Sequence, residues 1–315
     1  MIQLSTRAGI TVASAFVAGS LASWTGTANA TNFTYNGFSS TAGLNIVGNA
    51  TTTTTGDGTV LRVIPAFGSQ AGAAYSQSAV TLGAGNTFST QFRFRFTNPA
   101  GVDPADGITF TLAASPTGLG TPGYGMGYEG VGNSVAIEFD TYNNGIFGGS
   151  LGYFAQEPNS SNHVAIDTNG VLTNTAAVNV YGNGSCGFAT GTPAQNSYLA
   201  PGCMSNGDLW TVNIAYDGAL LNVSLTDPAE GTSFAAITNY AINIGGLLGG
   251  NTAYVGFTGS SGAGTENEDI SYWQFADTAT LPTQPSPVPE PASLALLATF
   301  SAITGLLRRG KSGGS

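Results

Sequence analysis

The clearest pattern in the chain is a strict alternation of apolar and polar side chains in short segments between residues 31 and 280. In FSTQFRFRF, Phe92, Phe94 and Phe96 fall on one face and Arg93 and Arg95 on the other. A period of two is typical of β-strands with one buried face. WTVNIAYDGALLNVSL predicts a hairpin, because two alternating runs flank the turn dipeptide Asp-Gly.

Further strands are predicted in ITFTLAA, VAIEFD, HVAID and AYVGFTG, and clusters of Gly, Asn and Pro separate them. Helical periodicity is nearly absent from the same part of the chain. The pattern therefore predicts an all-β fold, an antiparallel β-sandwich built as a single domain over residues 31–280.

The first 30 residues have the composition of an export signal. Arg7 precedes a short apolar run, and the segment ends in Ala-Asn-Ala at residues 28–30. A basic start, a short apolar stretch and an A-x-A ending are typical of a secretory signal peptide. We expect residues 1–30 to be removed, so that the mature chain begins at Thr31; a buried first helix is the alternative.

The C-terminal end combines three compositions in a fixed order. Residues 281–292 form a proline-rich linker that contains VPEP, and residues 293–315 contain a short apolar helix followed by Arg-Arg-Gly-Lys. The apolar stretch is shorter than the roughly 20 residues that span a bilayer comfortably. These elements resemble the PEP-CTERM sorting signal of Gram-negative bacteria. The resemblance implies export, transient anchoring in the inner membrane, cleavage by an exosortase-type protease, and delivery to the outer surface or extracellular matrix. A plain membrane anchor is the alternative.

Charge is scarce between the two ends and is mostly negative. Residues 31–280 contain three arginines, no lysine and sixteen acidic residues. Such a surface repels phosphate backbones, so we expect no nucleic-acid partner. An acidic domain rich in Gly, Ser, Thr and Asn fits carbohydrate or metal ions better. Cys186 and Cys203 lie seventeen positions apart, and in an oxidising compartment we expect them to form one disulfide that closes a surface loop.

Acidic residues gather in the strand VAIEFDTYNNG at residues 135–145. Because side chains alternate along a strand, Glu138, Asp140 and Tyr142 share one face and Phe139 points into the core. Two carboxylates about 7 Å apart repel each other unless a positive charge lies between them, and no Lys or Arg is near in sequence. Oxygen ligands suit calcium, and carboxylates with an imidazole suit a transition metal. The strand therefore predicts a divalent metal site, with solvated surface acids as the alternative.

VAIEFDTYNNG, followed by EPNSSNHVAIDTNG with the only histidine of the chain, resembles the metal-binding region of L-type, or legume-type, lectins. The resemblance extends over most of residues 33–275 and implies a concanavalin-like jelly roll. It also implies a calcium ion and an adjacent divalent transition metal such as Mn²⁺, bridged by one aspartate. The implied ligands are Asp140 for both ions, the Tyr142 carbonyl and the Asn144 amide for calcium, Glu138 and His163 for the second metal, and Glu157 where the family carries Asp.

The same resemblance implies a set of saccharide contacts. Asp106, in PADGITFTLA, would accept hydrogen bonds from sugar hydroxyls, and the Ala105–Asp106 peptide is expected to be cis. In the glycine-rich loop GYGMGYEG, a backbone N–H would approach the sugar, with Gly125 as the first choice of donor and Gly123 as the second. The remaining implied contacts are the Asn144 amide, a stacked Tyr142, and the loop residues Ser261, Gly262, Ala263, Gly264 and Thr265. Asp269 and Trp273 are expected to be structural.

The expected function is calcium-dependent binding of a glycan or exopolysaccharide by an exported protein that is not an enzyme. Two alternatives stay open. A lectin-fold structural protein of the surface or biofilm matrix would keep the sandwich without binding sugar. A glycoside hydrolase of the same fold is less favoured, because Tyr142 and Asn143 stand where laminarinase-type enzymes carry their second catalytic glutamate.

Overall fold

The computed structural model describes residues 31–145, 160–180, 186–188 and 196–282. The predicted signal peptide, the predicted ligand Glu157, and the C-terminal segment from residue 283 onwards lie outside the described residues. The strands, in chain order, are β1 (Asn32–Tyr35), β2 (Leu44–Gly48), β3 (Thr51–Thr55), β4 (Gly58–Ile64), β5 (Ala71–Ser76), β6 (Val80–Thr81), β7 (Phe88–Gly101), β8 (Gly107–Ala113), β9 (Ser134–Asp140), β10 (His163–Thr168), β11 (Val171–Asn179), β12 (Cys186–Gly187), β13 (Asn196–Ser197), β14 (Trp210–Tyr216), β15 (Leu220–Asp227), β16 (Thr232–Ala241), β17 (Thr252–Ser260) and β18 (Gly264–Ala276).

The described residues form a sandwich of two antiparallel sheets with eight strands each. The back sheet has the order β16-β15-β14-β7-β18-β4-β3, with β1 also paired to β18. The front sheet has the order β11-β10-β9-β8-β17-β5-β2, with β6 also paired to β17. The short strands β12 and β13 form a separate parallel pair. The predicted all-β sandwich with a jelly-roll arrangement is therefore confirmed.

The core lies between the two sheets and follows the alternation seen in the sequence. Phe92, Phe94 and Phe96 of β7 are fully buried, whereas Arg93 on the opposite face is exposed. The ring of Phe92 meets the ring of Phe139 from the front sheet edge-to-face, with 5.5 Å between centroids. Each fully buried ring of this kind stabilises the fold by roughly 1.5–3 kcal/mol.

The predicted hairpin is present as β14 and β15, which pair antiparallel along their whole length. Asp217 closes its turn, because its Oδ1 accepts the N–H groups of Ala219 at 2.9 Å and Leu220 at 2.8 Å. In the described part of the chain, a 3-10 turn at Gly123–Gly125 and the helix α1 (Ile244–Leu248) lie between strands. No helix in the described part of the chain has both the length and the apolar character needed to cross a membrane.

The predicted disulfide between Cys186 and Cys203 is confirmed, with 5.6 Å between the two Cα atoms. Cys186 and the residue before Cys203 lie against the segment leading into β10. The Ser161 hydroxyl donates to the Cys186 carbonyl at 2.8 Å, and the Asn162 amide donates to the Gly202 carbonyl at 2.9 Å. The disulfide loop therefore braces the residues immediately before His163.

Candidate functional site

Glu138, Asp140 and His163 meet because β9 and β10 are antiparallel neighbours. His163 at the start of β10 is directly opposite Asp140 at the end of β9, and Ala165 is opposite Glu138. One ligand atom from each of the three side chains lies within 4.8 Å of the other two. All three are buried, with exposed fractions of 1% for Glu138, 4% for Asp140 and 0% for His163. Strand register therefore assembles a candidate metal cluster from residues that are distant in sequence.

The imidazole of His163 has polar neighbours at both ring nitrogens. Nδ1 lies 3.1 Å from the Ser160 carbonyl oxygen, and Nε2 lies 3.2 Å from Glu138 Oε1 and 2.8 Å from Asn174 Oδ1. A neutral ring that donates from Nδ1 to the carbonyl leaves the Nε2 lone pair for a metal ion. Asn174 on β11 supplies a further oxygen at this point, and the sequence analysis missed it.

The carboxyl group of Asp167, which the sequence pattern was not used to predict, also lies near the cluster. Its Oδ1 accepts the N–H groups of Thr173 at 2.7 Å and Asn174 at 3.0 Å. Burial, and then the neighbouring Glu138 carboxylate, raise the pKa of Asp167 well above its usual value. Period-two alternation could have identified it, because Asp167 lies four residues after His163 and therefore on the same face of the strand.

The loop after β9 carries the predicted calcium ligands. Asp140 Oδ1 accepts the Tyr142 N–H at 2.6 Å, which curls the backbone around the carboxylate. Tyr142 and Asn144 are half-buried. Carboxylate, amide and carbonyl oxygens here fit calcium, and the Glu138, Asp140 and His163 donors fit a transition metal beside it. Glu157, the remaining predicted ligand, lies outside the described residues.

A pocket of about 360 Å³ adjoins this loop and shares two of its residues. That volume falls within the range of roughly 300–1,000 Å³ usual for small-molecule sites. Two half-buried tyrosines provide ring surface, and one carboxylate provides an acceptor. The pocket is lined by Val102, Ala105, Asp106, Gly123, Tyr124, Tyr142, Asn144, Gly262, Ala263 and Gly264.

The backbone of Asp106 is fixed on both sides of the side chain. The Ala105–Asp106 peptide is cis, as the sequence analysis predicts. The Asp106 N–H donates to the Ser260 carbonyl at 2.9 Å, and the Thr141 N–H donates to the Asp106 carbonyl at 3.0 Å. Asp106 therefore sits between the end of β17 and the end of β9, where it lies beside both the pocket and the loop that carries the predicted calcium ligands.

The predicted saccharide contacts divide into two groups. Asp106, Tyr142, Asn144, Gly123 and residues 262–264 line the pocket, whereas Gly125, Ser261 and Thr265 are buried and are not among its lining residues. The Gly123 N–H donates a hydrogen bond to the Ser261 carbonyl at 3.0 Å. Three further lining residues, Val102, Ala105 and Tyr124, were not among the predicted contacts, which were mainly polar side chains and loop backbone.

The pocket has no basic residue among its lining side chains. Arg62 and Arg95 each form an ion pair with an aspartate at 2.7 Å, and both lie on the back sheet. Arg93 packs over the ring of Tyr272 at 5.1 Å from its centroid, also on the back sheet. All three arginines in the described residues therefore lie on the back sheet. Asp106 is the one ionisable acidic or basic side chain among the residues that line the pocket.

The disulfide loop also reaches the rim of the pocket. The Phe188 N–H donates to the side chain of Asp103, two residues before the pocket-lining Ala105. Burial raises the pKa of Asp103, and the Phe188 hydrogen bond opposes that shift. The Thr265 N–H donates to the Asp103 carbonyl at 3.2 Å, so Asp103 links three segments at the edge of the site.

The chain is similar to known lectin-domain proteins. The family model described as Legume lectin domain matches residues 30–289 of the chain. The probable L-type lectin-domain containing receptor kinase S.7 of Arabidopsis thaliana is 31% identical over 214 residues, which cover 63% of this chain and 27% of the kinase. The bark leucoagglutinin of Maackia amurensis is 31% identical over 208 residues, which cover 63% of this chain and 62% of the agglutinin. The chain spans between 27% and 38% of the length of the receptor kinases that it matches.

Solved lectin structures share the fold. The lectin from Bauhinia forficata in complex with GalNAc superposes with a TM-score of 0.60 at 20% identity, covering 78% of this chain and 97% of that lectin. The Lotus tetragonolobus seed lectin superposes with a TM-score of 0.59 at 23% identity, covering 80% and 100% of the two chains. At these identities, the likeness concerns the architecture of the sandwich.

Proposed function

This chain belongs to the legume lectin domain family, and we propose on that basis that its pocket at Asp106 binds a saccharide in a calcium-dependent manner. The observation that supports the proposal most directly is the convergence of the pocket and the metal cluster. Tyr142 and Asn144 line the pocket and lie just after Asp140, so an ion at Asp140 would fix the pocket wall. Without that loop in place, the pocket would lose one side.

The chemistry of the pocket fits a neutral sugar. Asp106 accepts hydroxyl hydrogen bonds, the Asn144 amide both donates and accepts, and Tyr124 and Tyr142 offer apolar ring faces to the sugar. A carboxylate or sulfate group on the ligand would face the negative Asp106 with no basic side chain among the lining residues. We therefore propose that the ligand is a neutral hexose or its N-acetyl derivative and not an acidic unit of an exopolysaccharide.

Two ions are proposed at the adjacent cluster. Calcium would be held by Asp140, the Tyr142 carbonyl and the Asn144 amide, with Glu157 as the fourth protein ligand. A transition metal such as Mn²⁺ would be held by Glu138, Asp140 and His163. When bound, the ions supply positive charge that offsets the buried carboxylates. They also make the loop after β9 more rigid.

We also propose that the protein is exported and sorted to the outer surface or extracellular matrix. The support is the sequence of residues 1–30 and of the VPEP-containing C-terminal end. Mass spectrometry of the exported protein should find a mature chain that begins at Thr31 and lacks the tail after the VPEP motif. An intact Leu294–Leu307 segment on the exported protein would contradict exosortase-type processing.

The binding proposal is tested with a glycan array, probed with protein in calcium and in excess chelator. We expect binding to a small set of neutral glycans in calcium and none in chelator. Asp106→Asn is the matched variant, because it removes the charged acceptor and keeps the shape of the side chain. Absence of binding to any glycan in calcium by a folded protein would instead favour a lectin-fold matrix protein.

A further inference from the structure

Two glutamates lie behind the pocket, on the core side of the residues that form it. Glu266 and Glu268 are two residues apart on β18, so their side chains project to the same side of the strand. Both have an exposed fraction of 0%. Neither lines the pocket or belongs to the candidate metal cluster. Buried acidic side chains are rare unless they are paired or hydrogen-bonded.

Glu268 contacts the residue that follows Asp106. Its Oε1 accepts the Gly107 N–H at 2.9 Å, at the first residue of β8. Gly107 has a φ of +110°, which only glycine adopts readily. Gly259 leaves space for the Glu268 carboxyl group, because a Cβ at position 259 would lie only 2.2 Å from Glu268 Oε2. A side chain at position 259 would displace the carboxyl group from its place.

Glu266 contacts the other side of the same site. Its Oε1 accepts the Thr141 hydroxyl at 2.6 Å. Thr141 directly follows Asp140, and its N–H donates to the Asp106 carbonyl at 3.0 Å. One glutamate thus holds the segment after Asp106, and the other holds the residue that bonds the Asp106 carbonyl.

We propose that Glu266 and Glu268 are positioning residues that fix Asp106 and the end of β9 in the geometry that the saccharide and calcium require. The inference rests on the proposed function and adds the two groups that align its site from behind. The roles differ: Glu268 acts through the Gly107 N–H on the segment that carries Asp106, whereas Glu266 acts through Thr141 on both Asp106 and the strand end that carries Asp140.

Their contribution comes from the acceptor oxygen, and a negative charge is not required. Burial raises the pKa of Glu268 well above its usual value, with Glu266 and Asp106 adding to the rise. Glutamine keeps an oxygen at the same position. A methionine of similar length removes it and leaves the Gly107 N–H buried without a partner.

The experiment compares Glu268→Met, Glu268→Gln, Glu266→Met and Glu266→Gln in the mature protein. Asp269→Asn is the matched control, because it lies on the same strand but faces Arg62. Affinity for the strongest array glycan, affinity for Ca²⁺ alone, and hydrogen exchange of the Gly107 amide are measured for each. Glu268→Met should lower glycan affinity about tenfold, speed Gly107 exchange, and leave Ca²⁺ affinity within about twofold. Glu266→Met should lower both affinities.

Glu266→Gln and Glu268→Gln should both keep the wild-type glycan affinity, Ca²⁺ affinity and Gly107 exchange rate. Asp269→Asn should change only stability. Wild-type glycan affinity and wild-type Gly107 exchange in a folded Glu268→Met protein would overturn the proposal. Equal losses in Glu268→Gln, or in Asp269→Asn, would also overturn it, since they would indicate a requirement for charge or a general loosening. If the wild type bound no glycan at all, the proposed function would fail separately, and unchanged Gly107 exchange in Glu268→Met would still refute the positioning role.

Discussion

Glu266 is expected to make the unfolding free energy fall as the pH rises from about 4.5 to about 7. Burial raises the pKa of Glu266 from 4.5 to about 7, while interactions with the hydroxyls of Thr141 and Ser205 oppose the rise. Between these two values, the unfolded chain has released a proton that the folded chain still binds, so a higher pH favours unfolding. The stability linked to this proton is complete below pH 4.5 and is lost as the pH passes through 7.

The magnitude follows from the two pKa values. The rise from 4.5 to about 7, at about 1.4 kcal/mol per pKa unit, corresponds to about 3 kcal/mol of unfolding free energy. Glu266→Gln removes the titrating group and keeps an oxygen acceptor for Thr141. The variant should therefore match the wild type near pH 4 and exceed its unfolding free energy by about 3 kcal/mol at about pH 8.

Urea denaturation of both proteins over this pH range measures the difference directly. The buffers contain chelator, so that the charge of a bound cation does not enter the comparison. Glu230→Gln is the control, because it makes the same substitution at an exposed position. A difference between wild type and Glu266→Gln that is constant with pH, or that favours the wild type as the pH rises, would refute the reasoning.

Three further predictions address other parts of the molecule. Asp140→Ala should abolish both calcium and glycan binding with the sandwich still folded, whereas Asp106→Asn should abolish glycan binding alone. Calorimetric titration with Ca²⁺ measures calcium binding, and circular dichroism checks that each variant is folded. Retained glycan binding in Asp140→Ala would contradict these roles. Replacing Cys186 and Cys203 together with serine should lower the unfolding free energy by about 3 kcal/mol, measured by denaturation, and an unchanged midpoint would contradict this estimate. Phe92→Ala should cost about 3–5 kcal/mol by the same measurement, and a loss below about 1 kcal/mol would show that the core relaxes around the cavity.

Local chemistry explains which parts of the fold the sequence could predict. The alternation around Phe92 and Arg93 follows from burial of one strand face, and the β14–β15 hairpin follows from its Asp-Gly turn, so both could be recognised within a few residues. The cis peptide before Asp106 is different. It came from the resemblance to legume-type lectins, because nothing in the residues Ala105-Asp106 alone favours a cis bond.

Three of the missed residues, Asn174, Glu266 and Glu268, depend on contacts that the pattern within a single strand does not show. Asn174 reaches His163 from a stretch of β11 where the pairing with β10 is irregular, and its φ of 50° departs from the strand conformation. Period-two alternation cannot place a side chain in such a stretch. Glu266 and Glu268 occur in the polar sequence TENED, which suggests a surface loop, but β18 lies between β7 and β4 and carries them into the interior. Their partners, Thr141 and Gly107, are more than a hundred residues away in the sequence.

Calorimetric titration of the wild-type protein with its strongest array glycan tests the central claim most directly. The titration is run with calcium present, after removal of metal by chelation, and after calcium is added back. We predict a binding isotherm in the first state, no measurable heat of binding in the second, and recovery of the first isotherm in the third. Glycan binding that persists at full strength in the metal-free, folded protein would contradict the account.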